Sequence, residues 1–146
     1  MINFLVIIIS IALNFFSPDG NNNSTSKLKI TIKIQGLKSN NGSVKVALCN
    51  SKENYYNHKF PFIGLTLPIM NRQAEVTLTD ISPGFYAVKV FHDENNNDNL
   101  DTNLFGIPVE DYGFSNNSKS IFGIPGWNKA KLLISEGSSE IIIDLR

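Results

Sequence analysis

Carboxylate and amide side chains crowd into one stretch, Phe91 to Ser115, which reads FHDENNNDNLDTNLFGIPVEDYGFS. It holds Asp93, Glu94, Asp98, Asp101, Glu110 and Asp111 with no Lys or Arg among them. Six of the thirteen acids therefore fall in one segment, while the rest of the chain carries seven acids against thirteen bases. Within it, oxygen-bearing side chains recur at every second residue: Asp93, Asn95, Asn97, Asn99 and Asp101. A hard cation prefers carboxylate and amide oxygens converging from alternate positions of a loop. With Asp93 as the first position, these residues occupy the ligand positions of a helix–loop–helix calcium loop, with Leu100 at the apolar eighth. Two positions depart from that pattern: Asp98 stands where the loop has Gly, and Leu104 where it has a bidentate Glu. Glu110 or Asp111 can return to supply a carboxylate. The expectation is a Ca2+ site formed by Asp93, Asn95, Asn97, Asn99, Asp101 and Glu110, weak at roughly 10⁻⁴–10⁻³ M. The competing expectation is a hydrated Asn/Asp turn that holds no ion.

His92 shares the parity of Tyr86, Val88 and Val90, so its side chain is expected inward, hydrogen-bonded at the base of the loop. A His92, Asp93 and Glu110 cluster would suit acid–base hydrolysis. No nucleophile supports it, because Gly113-Phe114-Ser115-Asn116-Asn117 lacks the second Gly of a nucleophile elbow. Zinc-ligand spacing and a phosphate-cradling glycine loop are also missing from the sequence.

Short strands must position this segment. Leu28, Ile30, Ile32 and Ile34 alternate with Lys29, Thr31, Lys33 and Gln35, the period of a half-buried strand. Ser39-Asn40-Asn41-Gly42 predicts a hairpin turn, followed by a strand with Val44, Val46 and Leu48 inward. Asn50 to Met70 is less regular: an aromatic-rich connection with a short strand near Gly64 to Leu67. Arg72 to Thr79 is a strand, and Pro83-Gly84 turns into the strand Phe85 to His92. Tyr86, just beyond that turn, suits a tyrosine corner, its hydroxyl bonded to upstream backbone. Asn128 to Ser135 and Ser139 to Leu145 predict a final hairpin about Glu136-Gly137. Between them, Asp93 to Trp127 reads as one long connection, with Phe105, Tyr112, Phe114, Phe122 and Trp127 available either to pack it down or to form an exposed platform. About seven short strands and no long amphipathic helix predict an all-β fold, an immunoglobulin- or transthyretin-like antiparallel β-sandwich with one long loop.

The chain has 146 residues, 42% of them hydrophobic, and zero formal net charge. That allows one domain with a real core and excludes a basic nucleic-acid binder. Residues 2–16 are almost wholly apolar and shorter than the ~20 residues that span a bilayer, so 1–16 reads as a signal peptide, or else as an uncleaved N-terminal anchor. Residues 17–26 form a polar linker, and 27–146 the single β-domain. The lone Cys49 lies inside a strand and is expected to be a buried hydrophobe rather than a reactive thiol.

The run from Pro83 to Asn117, PGFYAVKVFHDENNNDNLDTNLFGIPVEDYGFSNN, resembles the signature of a bacterial exported family, domain of unknown function 2141. The shared residues include Pro83, Gly84, Tyr86, His92, Asp93, Glu94, Asn95, Asn97, Asp101, Gly106, Pro108, Glu110, Gly113, Phe114 and Ser115. Asp98 departs from it, where the family often has Gly. The resemblance implies an exported β-sandwich, periplasmic or extracellular, and supplies no activity.

The combined expectation is a secreted or envelope-associated, non-enzymatic binding or structural module. Its partner would be a protein or glycan at the cell envelope, with no nucleic acid and with membrane contact only through an uncleaved N-terminal segment. The alternatives are a hydrolase using Asp93, Glu110 and His92, or a small-ligand carrier with a closed apolar cavity.

Overall fold

The alternation after Lys27 becomes strand β1 (Leu28–Gln35), in which Ile30, Ile32 and Ile34 are buried and Lys29 and Gln35 exposed. The computed structural model describes residues 26–57, 59–137 and 140–146; the apolar segment 1–16 and nearly all of the polar linker lie outside the described residues. Seven more strands follow: β2 (Ser43–Cys49), β3 (Ile63–Leu67), β4 (Ala74–Ile81), β5 (Gly84–Asp93), β6 (Tyr112–Phe114), β7 (Leu132–Ile134) and β8 (Glu140–Asp144). Among the described residues, two short helices, α1 (Lys52–Tyr56) and α2 (Trp127–Ala130), and a 3-10 turn at Ser115–Asn117 complete the set. One sheet has the order β4-β1-β8; the other is β3-β2-β5-β6, with β7 also pairing with β5.

The two sheets enclose one core. Ile30, Ile32, Ile34, Ile141 and Ile143 from the first meet Val44, Val46, Leu48, Val88 and Val90 from the second. Each such side chain contributes about 1.5–3 kcal/mol on burial, which the period-2 pattern concentrates on the inner faces. Tyr86 closes a corner as expected, its hydroxyl donating to the Ser82 carbonyl at 2.9 Å. The outer face of the second sheet carries a smaller cluster of Cys49, Tyr55, Ala87, Phe114 and Ala130, with Tyr112 and Trp127 packed against it. Of the five aromatics available for such packing, Phe105 and Phe122 stay out, at 87% and 89% exposure.

Neither expected hairpin forms. β1 and β2 belong to different sheets, so the Asn41-Gly42 turn carries the chain across the sandwich. β7 and β8 also part company: β7 pairs antiparallel with the start of β5, and β8 runs parallel to β1, with Ile141 beside Ile32 and Ile143 beside Ile34. Alternation specifies which face is buried, and several partners satisfy that face equally well. Every other strand pairing among the described residues is antiparallel.

The single long connection from Asp93 to Trp127 is likewise divided. β6 interrupts it and pairs with β5 through Lys89–Phe114, Val90–Gly113 and Phe91–Tyr112. The loop therefore leaves β5 and returns to the strand beside it. Gly113 permits this return, because a Cβ there would stand 2.7 Å from Ile143 Cγ2.

Candidate functional site

β5 ends on two buried polar residues, His92 and Asp93, both with no exposed surface. The backbone N–H of His92 donates to the Asp111 carbonyl at 2.8 Å, closing the base of the loop. From there the Asp93 carboxylate organises the outgoing chain. Oδ1 accepts the N–H of Asn97 and Oδ2 that of Asp98, each at 3.0 Å. Asn95 Oδ1 accepts the Asn97 N–H at 3.1 Å, and Asn97 Oδ1 the Asn99 N–H at 2.8 Å. Each alternate oxygen thus holds the backbone a few residues ahead, which is how short polar side chains stabilise turns.

Asp101 faces the same residues from the far side. Its carboxylate receives the amide of Asn95 at 2.7 Å and that of Asn97 at 2.9 Å. Asn97 therefore touches both carboxylates, Asp93 through its backbone N–H and Asp101 through its side-chain amide, so the two converge on one residue instead of splaying into solvent. Asn99 behaves differently, turning its amide back onto the Asn97 carbonyl at 2.8 Å. Asp98, at the position of the family's Gly, adopts φ +64°, the left-handed conformation a sharp turn requires. Asp tolerates that region better than most residues, so the departure from Gly keeps the turn.

Glu110 braces the whole. Its Oε1 accepts the Glu94 N–H at 3.0 Å and its Oε2 the Asp101 N–H at 2.9 Å, so one carboxylate ties the two ends of the loop together. Leu104, at the twelfth calcium-loop position, points away and is fully exposed. It sits at the tip of a small hairpin made by Asn103 N–H to the Ile107 carbonyl and Val109 N–H to the Asp101 carbonyl, both 2.9 Å. Leu104, Phe105, Ile107 and Val109 are all exposed on it.

Cations reach the acidic segment from elsewhere in the chain. Lys45 of β2 pairs with Asp98 and lies 3.5 Å from Asp93 Oδ2. Its hydrogen bond to Asp98 holds the ammonium above its ordinary pKa. Lys38, from the turn after β1, meets Asp111 Oδ1 at 2.5 Å. The Ser43 hydroxyl donates to Asn96 Oδ1 at 2.9 Å. These partners were hidden in the sequence because alternation marks Lys45 merely as outward-facing, and outward from β2 is toward the loop.

His92 is inward, as its parity predicts, but only half engaged: Nε2 lies 2.7 Å from the Asn41 carbonyl oxygen, while Nδ1 faces Glu94 Oε1 at 3.5 Å. Ser115 is wholly enclosed; its Oγ donates to the Ala130 carbonyl at 2.6 Å and accepts the Val88 N–H at 2.9 Å. A cleft of about 450 Å³ lies at the seam between β7 and β8, lined by Ile30, Leu132, Ile134 and Ile141 among others, away from the loop.

These features define a class, a two-sheet β-sandwich with an Asn/Asp loop built between adjacent strands β5 and β6. The sequence profile of a family described as uncharacterized proteins conserved in bacteria, DUF2141, matches residues 32–142, and the chain belongs to that family. No curated protein and no solved structure matches the chain.

Proposed function

We propose that this chain is an exported, non-enzymatic binding module whose β5–β6 loop is set by a weakly held calcium ion. The observation that carries the reading is Asn97, which bonds at once to the carboxylates of Asp93 and Asp101. Asp93, Asn95 and Asn97 keep free lone pairs on the oxygens that already hold the turn, since a carboxylate or amide oxygen accepts more than one partner. A calcium ion would draw on these oxygens and on Asp101, with the Asn99 backbone carbonyl at the seventh position. Glu110 would supply a carboxylate while bracing Glu94 and Asp101.

The ion would fix the stem of the apolar hairpin that presents Leu104 and Phe105. Exposed apolar groups clustered at a rigid tip suit contact with a protein at the cell envelope. The chemistry around the loop favours binding over turnover: Ser115 is consumed by backbone contacts, and both Glu110 oxygens accept N–H groups.

Thermal unfolding with added Ca2+ tests the reading. At ten times the dissociation constant, one site stabilises by about 1.4 kcal/mol, and Asp101→Asn, which is only half-buried, should abolish that gain. A melting temperature that ignores Ca2+ at 10-millimolar levels, or an undiminished gain in Asp101→Asn, would refute it.

A further inference from the structure

His92, Glu94 and Asp111 present one ligand atom each within 4.8 Å of one another, just below the calcium-loop residues. His92 and Asp111 are 0% and 2% exposed. Among the described residues, His92 Nδ1 and Asp111 Oδ2 are buried without a hydrogen-bond partner. Such groups are costly to bury unsatisfied and call for a physical reason.

The chemistry of the pair supplies one. The Asn41 carbonyl at Nε2 can only accept, so the ring carries its hydrogen there and leaves the Nδ1 lone pair free. That lone pair faces the Glu94 carboxylate at 3.5 Å. Asp111 has committed Oδ1 to Lys38, which leaves Oδ2 as a second open acceptor. Three acceptors facing one another repel unless a positive charge lies among them. A histidine oriented by a backbone carbonyl on its far nitrogen is also the usual arrangement of a metal-bound imidazole.

We propose that His92 Nδ1, Asp111 Oδ2 and Glu94 bind a first-row divalent transition-metal ion, with zinc the apt probe. A nitrogen and two carboxylates suit zinc and its neighbours, whereas calcium takes oxygen ligands. Two carboxylates and the Lys38 ammonium leave one net negative charge for the cation. In tetrahedral zinc the ligand atoms stand about 3.3 Å apart, given bonds of about 2.0–2.1 Å. Glu94, exposed and long, closes the remaining distance by a side-chain swing and leaves a fourth position to water. None of the three residues belongs to the calcium set, so this site stands or falls separately.

The test uses the full chain, stripped with chelator and then held in excess Ca2+, so that the state of the Asn/Asp loop is constant. Zn2+ is titrated by calorimetry, and 15N NMR follows the His92 ring. One Zn2+ per chain is expected, with Nδ1 shifting on binding and Nε2 remaining protonated. Loss of an outer-shell partner costs roughly 10–100-fold in affinity, so removal of a ligand in Glu94→Gln should cost at least that without lowering the melting temperature. His92→Gln and Asp111→Asn should abolish binding; if either fails to fold, Glu94→Gln and the NMR signature decide the matter. His58→Gln, at the other histidine, should bind normally. Failure to bind Zn2+, binding undiminished in Glu94→Gln, loss in His58→Gln, or a His92 ring protonated on both nitrogens at neutral pH would each overturn the site. A melting temperature indifferent to Ca2+ would refute only the calcium reading.

Discussion

A Cβ placed on Gly42 would stand 2.0 Å from the carbonyl oxygen of Asp93. The turn after β1 therefore seats directly against the point where the acidic loop leaves β5. Its preceding residue, Asn41, supplies the carbonyl that His92 Nε2 meets. Gly42 also has φ +70°, so an added side chain meets both a steric collision and an unfavourable backbone region. Gly42→Ala should destabilise by at least about 2 kcal/mol, read as a lower urea midpoint. Gly42→Asn separates the causes, since Asn tolerates positive φ but still carries a Cβ. It should be nearly as poor; recovery to wild-type stability would show that contact with Asp93 matters little.

The same contact explains what was legible in the sequence. Asn41-Gly42 announces a tight turn, but the dipeptide says nothing about whether the strands on either side pair with each other. Here Gly serves a close approach between the two ends of the site. The inward faces of β1, β2 and β5 were readable from alternation, as was the tyrosine corner at Tyr86. β6 was hidden because it has three residues with Gly113 at the centre, and that Gly is explained by the Ile143 and Leu145 side chains and the Asp144 carbonyl lying against it. The alternate oxygens of Asp93 to Asp101 were visible as a spacing. Lys45, which meets Asp93 and Asp98, and Lys38 and Asn41, which meet Asp111 and His92, all lie at least 48 residues (93 − 45) before Asp93, a distance no local pattern spans.

Cys49 is fully buried, and burial pushes its thiol above the ordinary cysteine pKa. Alkylation needs the exposed thiolate. Iodoacetamide at pH 8 should therefore modify the folded chain only through opening, roughly 10³-fold or more slower than in urea given ordinary domain stability. Rapid modification of the native protein would show that α1, whose Asn54 carbonyl lies 3.6 Å from Sγ, does not cover the sulfur in solution.

Lys89, on the outer face of β5, reaches under α1, its Nζ donating to the Tyr55 carbonyl at 2.6 Å and lying 5.5 Å from the Tyr55 ring centre. Burial lowers its pKa below the ordinary lysine value. The folded state then binds fewer protons than the unfolded state between the folded pKa and the unfolded one, so this residue's contribution to stability rises with pH across that window. Below the folded pKa the contribution is flat. The stability difference between wild type and Lys89→Met should therefore shift in favour of wild type as pH climbs toward 10.5. A difference that stays constant, or moves the other way, would mean that the ammonium is solvated.

Ser115 ties three parts of the chain together. Its hydroxyl accepts the Val88 N–H of β5 and donates to the Ala130 carbonyl at the end of α2. Asn116, at φ +58°, continues the link by donating to the carbonyls of Lys129 and Lys131. Ser115→Ala would leave the buried Val88 N–H unmatched, costing about 1–3 kcal/mol, and would leave the Ala130 carbonyl with only the Asn116 amide at 3.3 Å. Some of that cost relaxes if α2 lifts from β5, so the loss should appear first as local opening. Trp127, the single tryptophan, starts α2 and packs edge-on to Tyr55 at 5.6 Å, so its emission reports that opening. In Ser115→Ala the Trp127 transition should precede the global one followed by circular dichroism, whereas in wild type the two should coincide. Coincident transitions in the variant, with a melting temperature unchanged, would show that the hydroxyl does not hold α2 in place.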